Sequence, residues 1–186
     1  MPIRKIDPAT ALLVIDFQEG TRRFVGMVGP QVYSAAALLA RAFRKRGLPV
    51  VLIITEGGRM GRTDSSPEGS DFVFPPEAQQ PVPEIEQADS DIVIRRGAWG
   101  AFSGSDLQTL LLGKGVTQVV LCGTAASVGV ESTARQAYDL GLNVTIALDA
   151  VSDFNPAAKS CSQANIYPLL AETGSAIEII GGLDQP

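Results

Sequence analysis

The chain has 186 residues, a formal net charge of −5 at neutral pH and no histidine. This length fits one domain with a sizeable core, and the acidic balance argues against a nucleic-acid partner. The lack of histidine excludes Ser-His-Asp and Cys-His catalysis and most zinc sites, so acid–base chemistry falls to Asp, Glu, Lys, Tyr or Cys.

The first part of the chain predicts two buried strands joined by a helix. Residues 11–15 form a fully apolar run that ends at Asp16, which is typical of a strand buried in a parallel sheet. A helix is predicted after Gly29-Pro30, running to about Arg46, and residues 50–54 predict the second strand. The apolar face of the helix consists of Val32, Ala36, Leu39 and Phe43.

Residues 56–90 interrupt this pattern with a stretch rich in Gly, Pro, Ser and Asp. An irregular segment of this length inside a compact domain is usually functional or forms a covering flap. A solvated loop is the alternative interpretation.

Strands and helices alternate again after residue 90. Further strands are predicted at residues 91–94, 118–122, 143–148 and 176–180. Helices are predicted around Leu107–Leu111, from about Val128 to Gly141, and from about Pro156 to Glu172. The buried face of the second of these helices is predicted to carry Val130, Ala134, Ala137 and Tyr138.

This alternation predicts a three-layer, doubly wound, Rossmann-like α/β fold with about six parallel strands and helices on both faces of the sheet. We expect residues 1–186 to form this one domain. Ligands of such sheets bind beyond the carboxyl ends of the strands, where the strand order switches.

Three candidate groups follow strand ends and would meet in that cleft: Asp16, Arg96 and the turn at Gly129. Small residues in this turn let the backbone approach a ligand, and the free N–H groups of the helix that begins near Val128 attract negative charge. Each group also has a plainer interpretation: a turn or capping Asp, a solvated pair of arginines, and a tight packing turn.

The cellular environment is predicted from the cysteines and from the absence of targeting signals. Cys122 and Cys161 are too few for a disulfide framework and lack C-x-x-C spacing, which favours a reducing cytoplasm. No apolar run reaches about 18 residues, so we expect no membrane-spanning helix. Asp7 and Pro8 follow the basic start of the chain, which does not fit a secretory signal.

Four ordered blocks of the sequence resemble the isochorismatase-like hydrolases, also called the cysteine hydrolase superfamily. The blocks are residues 12–18 (LLVIDFQ), 94–102 (IRRGAWGAF), 123–134 (GTAASVGVESTA) and 149–154 (DAVSDF). The resemblance spans nearly the whole chain. It implies a six-stranded parallel sheet that carries a catalytic Asp, a Lys and a nucleophilic Cys.

These catalytic positions carry over only in part. The Asp corresponds to Asp16, whereas Arg96 stands at the Lys position and Gly129 at the Cys position. The resemblance implies a pocket around these three residues, with Trp99 as an aromatic wall. The motif positions expected to contact the substrate are Gln18, Trp99, Phe102, Thr124, Ala125, Ser127 and Val128.

Gly129 makes the chain unlike the amidase branch, because a glycine cannot form an acyl-enzyme. The true isochorismatases of siderophore and phenazine pathways, which belong to secondary metabolism, carry a similar glycine. They hydrolyse a vinyl ether that an Asp protonates. The pair Asp153-Phe154 also resembles that branch.

Arg96 changes the chemistry expected at the Lys position. Arginine stays charged, so it cannot exchange a proton as lysine does, but it can bind a substrate carboxylate with two hydrogen bonds. Its charge lowers the pKa of Asp16, which opposes work as a general acid, so burial would have to raise that pKa again.

Three functions remain open. The first is a cysteine-less hydrolase of an enol ether or related small carboxylated substrate, with Asp16 as acid/base and Arg96 as anion clamp. The second is a member that binds a small molecule or a partner without turnover, and the third is a lyase or isomerase that uses the same pocket. We expect no cofactor and no metal. The resemblance implies a homo-oligomer, a dimer or larger.

Overall fold

The computed structural model describes residues 3–25 and 29–184. The strands in these ranges are β1 (Thr10–Ile15), β2 (Val50–Thr55), β3 (Gly57–Met60), β4 (Ser70–Val73), β5 (Ile92–Arg96), β6 (Gln118–Thr124), β7 (Asn143–Ser152) and β8 (Glu172–Gly174). The α-helices are α1 (Arg22–Val25), α2 (Gly29–Lys45), α3 (Leu107–Gly113), α4 (Glu131–Asp139), α5 (Pro156–Cys161), α6 (Tyr167–Leu170) and α7 (Ala176–Gly182). No helix within the described ranges combines the length and the apolar character that crossing a bilayer requires.

Six of the described strands form one parallel sheet in the order β5-β2-β1-β6-β7-β8. The chain first adds strands on one side of β1 and then returns to add the others on its opposite side. The strand order therefore switches between β1 and β6, whose residues are all buried. The predicted doubly wound α/β sheet is confirmed.

The two faces of the sheet bury separate clusters of apolar side chains, because successive residues of a strand point to opposite faces. Leu12 and Val14 of β1 pack in one cluster with Phe43 of α2. Leu13 and Ile15 pack in the other with residues of α3 and α4. Helices therefore cover both faces, as predicted.

The amphipathic pattern predicted the buried face of α2 correctly and that of the α4 segment in part. Every residue predicted for the α2 face is buried, and Pro30 lies in the first turn, where its missing N–H costs no hydrogen bond. Tyr138 was predicted to be buried and is 54% exposed. Tyr138 lies in the last turn of α4 and lines a cleft at the amino ends of the strands.

The prediction of a last strand at residues 176–180 is wrong. These residues belong to α7, and the sixth strand of the sheet is the short β8. Ser175 begins the helix with a capping box, in which its hydroxyl accepts from the Glu178 N–H and its own N–H donates to the Glu178 carboxylate. The long helix predicted from Pro156 is also divided, because a π-helical turn separates α5 from α6.

Residues 56–90 contain an antiparallel hairpin, formed by β3 and β4, and two short 3₁₀ turns. Gly57 has φ 146°, and a Cβ there would lie 2.1 Å from the Phe72 carbonyl oxygen, so the pairing requires glycine. The Glu56 N–H donates to the Arg96 carbonyl oxygen over 3.0 Å. The hairpin is therefore fixed to the carboxyl end of β5.

Candidate active site

A cavity of about 440 Å³ opens at the carboxyl ends of the central strands. Its lining includes Asp16, which follows β1, Thr55 at the end of β2, Arg96 at the end of β5, and Thr124 at the end of β6. This is the edge of the sheet at which the strand order switches, where the topology predicts a ligand site.

The backbone around Asp16 fixes the position of its side chain. Asp16 adopts a left-handed conformation with φ 51°, which Asp tolerates better than most residues. Its N–H donates to the Ile53 carbonyl oxygen over 2.9 Å, and its carbonyl oxygen accepts from the Thr21 hydroxyl. Both backbone groups are thus held as the chain turns away from the sheet.

Asp16 and Arg96 form a buried ion pair at the floor of the cavity. The Arg96 Nη2 donates to Asp16 Oδ2 over 2.7 Å, and the two side chains are 2% and 11% exposed. Among the described residues, Asp16 Oδ1 and Arg96 Nε are buried and have no hydrogen-bond partner. Buried polar atoms are rarely left unpaired, so these two atoms need a partner that the described residues do not supply at hydrogen-bond distance.

Burial changes the acidity of Asp16 more than its partner does. Loss of solvent raises the pKa of the carboxyl group from its ordinary 3.8 to about 6, although the charge and the hydrogen bond of Arg96 act in the lowering direction. The group therefore gains and loses its proton near neutral pH, as a general acid or base must. Burial and Arg96 thus have opposite effects on the pKa of Asp16, and burial has the larger effect, as acid catalysis by Asp16 requires.

Gly129 lies beside the carboxylate and leaves space there. A Cβ at this position would lie 3.3 Å from Asp16 Oδ2 and 3.2 Å from Ile15 Cγ2, which is tighter than ordinary contact. The missing side chain therefore keeps the space next to the acid open. Any substitution at residue 129 would crowd Asp16.

In the turn after β6, the N–H groups of Ser127 and Val128 are not free as sequence analysis predicts. Both the N–H and the hydroxyl of Ser127 donate to Asp153 Oδ2 over 2.7 Å, and the Val128 N–H donates to the Ala125 carbonyl oxygen over 3.1 Å. A carboxylate of the protein itself thus takes the place predicted for an anionic ligand. Asp153, which the sequence marked only through a family motif, holds this turn in position.

The predicted substrate-contacting residues fall into two groups. Those that line the cavity are Trp99, Thr124, Ala125 and Val128, together with the three predicted catalytic positions, Asp16, Arg96 and Gly129. Those that do not line it are Gln18, Phe102 and Ser127. Phe102 instead packs against the apolar cluster that contains α3 and α4, and Ser127 is bound to Asp153.

Gln18 is buried behind the site and ties three segments together. Its side-chain nitrogen donates to the carbonyl oxygens of Thr55 and Ala78 over 2.9 and 3.0 Å, and its oxygen accepts from the Thr55 N–H over 2.8 Å. All of these partners belong to the protein backbone. Gln18 therefore supports the cavity from outside by joining the ends of β1 and β2 to the segment after the hairpin.

Aromatic and other apolar side chains that sequence analysis did not name form the walls of the cavity. Phe72 of β4 and Phe74 pack edge to face, with ring centroids 5.4 Å apart. Region 56–90 was expected to be functional, a covering flap or a solvated loop, and no residue in it was named. Further lining residues include Thr21, Arg23, Met60, Phe72 and Phe74, together with Phe154, which sequence analysis named only through a family motif.

Neither cysteine lies in the cavity. Cys122 is fully buried within β6, where burial raises the pKa of its thiol far above the usual range. Cys161 is exposed at the end of α5. Among residues 3–25 and 29–184, no group of three or more Cys, Asp or Glu side chains is arranged to hold a metal ion.

A second cleft, of about 590 Å³, lies at the opposite edge of the sheet, beside the first residues of β6, β7 and β8. Its buried polar residue, Gln118, donates to the Lys5 carbonyl oxygen and the Thr145 hydroxyl and accepts from the Asp7 N–H. Protein groups therefore satisfy this side chain, unlike Asp16 and Arg96. The cavity at the carboxyl ends remains the candidate active site.

Comparisons with known proteins agree with this geometry. The isochorismatase domain model matches residues 10–178. The isochorismatase family protein YecD of Escherichia coli O157:H7 is 39% identical over 94% of this chain and 96% of its own. Streptothricin hydrolase of Streptomyces noursei is 32% identical over 91% of this chain and 61% of its own. The solved structure of an isochorismatase family protein from Burkholderia thailandensis is 34% identical, with a TM-score of 0.89 over 99% of both chains.

Proposed function

Because the chain belongs to the isochorismatase family, we propose that it is a hydrolase of a small carboxylated substrate, such as an enol or vinyl ether, that works without a nucleophilic cysteine. One observation carries this proposal. Asp16 is a buried acid with a raised pKa, one oxygen held by Arg96 and the other without a protein partner among the described residues.

The proposed reaction begins with Asp16 in its protonated form. Asp16 gives its proton to the terminal carbon of the vinyl ether, where the electron pair of the C=C bond forms the new C–H bond. The ether oxygen stabilises the cation that results. Water then adds to this cation and returns a proton to Asp16, and the hemiketal collapses to a ketone and an alcohol. One water molecule is consumed, and no covalent enzyme intermediate is needed.

Arg96 would act on both Asp16 and the substrate. Its hydrogen bond to Oδ2 orients the carboxyl group, and its charge stabilises the carboxylate that remains after proton transfer. A guanidinium has five N–H donors, so other donors of Arg96 remain for a substrate carboxylate. This supports the predicted role of an anion clamp alongside the positioning of the acid.

The surroundings of Gly129 support a route without a thiol nucleophile. The position that would hold a nucleophile has no side chain, and Cys122 and Cys161 both lie outside the cavity. Alkylation with iodoacetamide should therefore modify the exposed Cys161 and leave turnover largely intact. Loss of turnover at the rate at which Cys122 is modified would instead identify that thiol as the nucleophile.

The direct test is turnover by the purified protein. Isochorismate should release pyruvate, whereas simple amides should release no ammonia, and Asp16→Asn should abolish the first reaction. Release of ammonia without release of pyruvate would refute the proposal. Binding of isochorismate without any product would favour a binding protein, and a product of unchanged mass would favour an isomerase.

A further inference from the structure

The charged residues that line the cavity give it a positive balance. In the described part of the chain they are Asp16, Arg23 and Arg96, so two cations face one carboxylate that is itself partly protonated near neutral pH. The protein as a whole carries a net charge of −5. A cavity of opposite sign to the rest of the molecule attracts anions and disfavours cations.

The two arginines occupy different places. Arg96 is 3% exposed at the floor and donates to Asp16. Arg23 belongs to the short helix α1, is exposed, and lines the cavity nearer to solvent. With five N–H donors, a guanidinium can bind a ligand oxygen in addition to its contacts within the protein. A cation is therefore present at the mouth as well as at the floor.

Flat apolar surface lines the same cavity as these two cations. Trp99, Phe154 and Phe72 line the cavity and are 55%, 59% and 37% exposed, so much of their ring surface is uncovered. Aromatic faces pack well against flat rings, but their negative quadrupole disfavours an anion placed over the face. A flat acid bound here would lay its ring against these walls and direct its carboxylate to a guanidinium.

We propose that Arg23 binds a carboxylate at the mouth of the cavity and selects small, flat, unsaturated or aromatic acids whose charged group lies away from Asp16. The inference deepens the proposed function and rests on it for the reaction at the floor. Arg23 is thereby assigned as a specificity-determining residue. Neutral analogues of the same shape, and cations, would bind more weakly.

Trp99 supplies a readout that does not depend on turnover. It is the single tryptophan of the chain and lines the cavity, so its fluorescence reports occupancy of the site. Wild-type protein is titrated with benzoate, with its neutral isostere benzamide and with the cation benzamidine. Benzoate should bind the wild type more tightly than either of the others, and equal affinity for benzoate and benzamide would overturn the proposal.

Variants then assign the effect to Arg23. Arg23→Gln should weaken benzoate binding by about fivefold or more, a size suited to a partly exposed charged hydrogen bond, and should leave benzamide unchanged. Arg23→Lys should retain part of the affinity because the charge remains. Arg41→Gln is the matched control, because it removes the same charge from an exposed residue outside the cavity.

Unchanged benzoate affinity in Arg23→Gln, or an equal loss in Arg41→Gln, would overturn the assignment. Asp16→Asn should still bind benzoate although the proposed reaction requires Asp16. Failure of the hydrolase proposal would therefore show as absent turnover although Arg23→Gln weakens benzoate binding. Failure of the Arg23 proposal would show as turnover with a benzoate affinity that Arg23→Gln leaves unchanged.

Discussion

Arg96 donates a hydrogen bond of 2.7 Å to one oxygen of Asp16, and the other oxygen has no partner among the described residues. The bond orients the carboxyl group while one oxygen remains for a proton. Burial outweighs the charge of Arg96, so the pKa of Asp16 is about 6 although a cation is adjacent. The pair thus combines a fixed geometry with an acidity suited to proton transfer near neutral pH.

Replacing Asp16 with asparagine should remove proton transfer and keep the shape of the side chain. We expect kcat/KM to fall on the order of 100-fold or more, the usual share of general acid–base catalysis. In the wild type, kcat/KM should be level below pH of about 6 and fall above it, because the proton donor is then lost. Initial rates across this pH range test both statements. An Asp16→Asn variant that keeps its activity would refute the proposed mechanism.

The same pKa predicts how folding stability depends on pH. The pKa of Asp16 is about 6 in the folded protein and near 3.8 in the unfolded chain, so between these values the folded state binds more protons. The free energy of unfolding therefore falls as the pH rises. The stabilising contribution of the proton on Asp16 is complete below about pH 4 and is lost above about pH 6. Relative to Asp16→Asn, the wild type should lose on the order of 3 kcal/mol over this window. Urea unfolding of both proteins provides the measurement, and a pH-independent difference would contradict it.

Changing Arg96 to lysine should mainly weaken substrate binding. The charge remains, but the paired N–H donors that fit a carboxylate are lost, so we expect KM to rise about tenfold with a smaller change in kcat. A preserved or higher rate would indicate proton chemistry at this position instead. Arg95→Lys is the matched control, because Arg95 is the neighbouring residue of β5, is exposed and does not line the cavity.

Gly129→Ala tests whether the open space beside Asp16 is used. The added methyl group would lie 3.3 Å from Asp16 Oδ2, where a bound substrate or attacking water would be displaced. We expect kcat/KM to fall about tenfold or more, since misplacement at a catalytic group is costly. Gly113→Ala in α3 is the control, because its Cβ would meet no atom within 4 Å. Equal activity of both variants would show that this space has no catalytic use.

We predict a homo-oligomer that uses the exposed apolar side of the α4 region. Tyr138 and Leu140 are 54% and 41% exposed there, and neighbouring exposed apolar side chains often mark protein–protein contacts. Light scattering should give a multiple of 19.5 kDa, and Tyr138→Glu should shift the mass toward the monomer. A wild-type mass of one chain at high protein concentration would contradict the prediction.

The sequence predicted the sheet well where its strands are continuous apolar runs. Such runs favour burial in a sheet without depending on contacts with residues far away in the sequence. The failure at residues 176–180 has a local cause and a tertiary cause. The run AIEII has the β-branched composition of a strand, but the Ser175–Glu178 capping box starts a helix. Ala176 and Ile179 are buried while Ile177 is 73% exposed, which is helical rather than alternating spacing.

The site was predictable where its residues follow strands of the main sheet, and not where they come from short elements outside that sheet. Asp16, Arg96 and Gly129 line one cavity because the parallel sheet brings the ends of its strands together. Arg23 and Phe72 enter it through a four-residue helix and a hairpin, whose positions depend on tertiary contacts. The N–H groups of the helix that begins near Val128 were predicted to be free, but Asp153, which is distant in sequence, accepts from the N–H of Ser127 in the turn before it.

The β3–β4 hairpin forms a sheet of its own, separate from the six-stranded sheet that carries Asp16 and Arg96, yet it contributes Met60 and Phe72 to the cavity. The hairpin therefore adds lining residues from a structural unit other than the sheet that carries Asp16 and Arg96. Libraries randomised at these two hairpin positions should alter which molecules are accepted while the folding core stays intact. Directed evolution of substrate preference would begin there, because these two positions lie outside every strand of the main sheet.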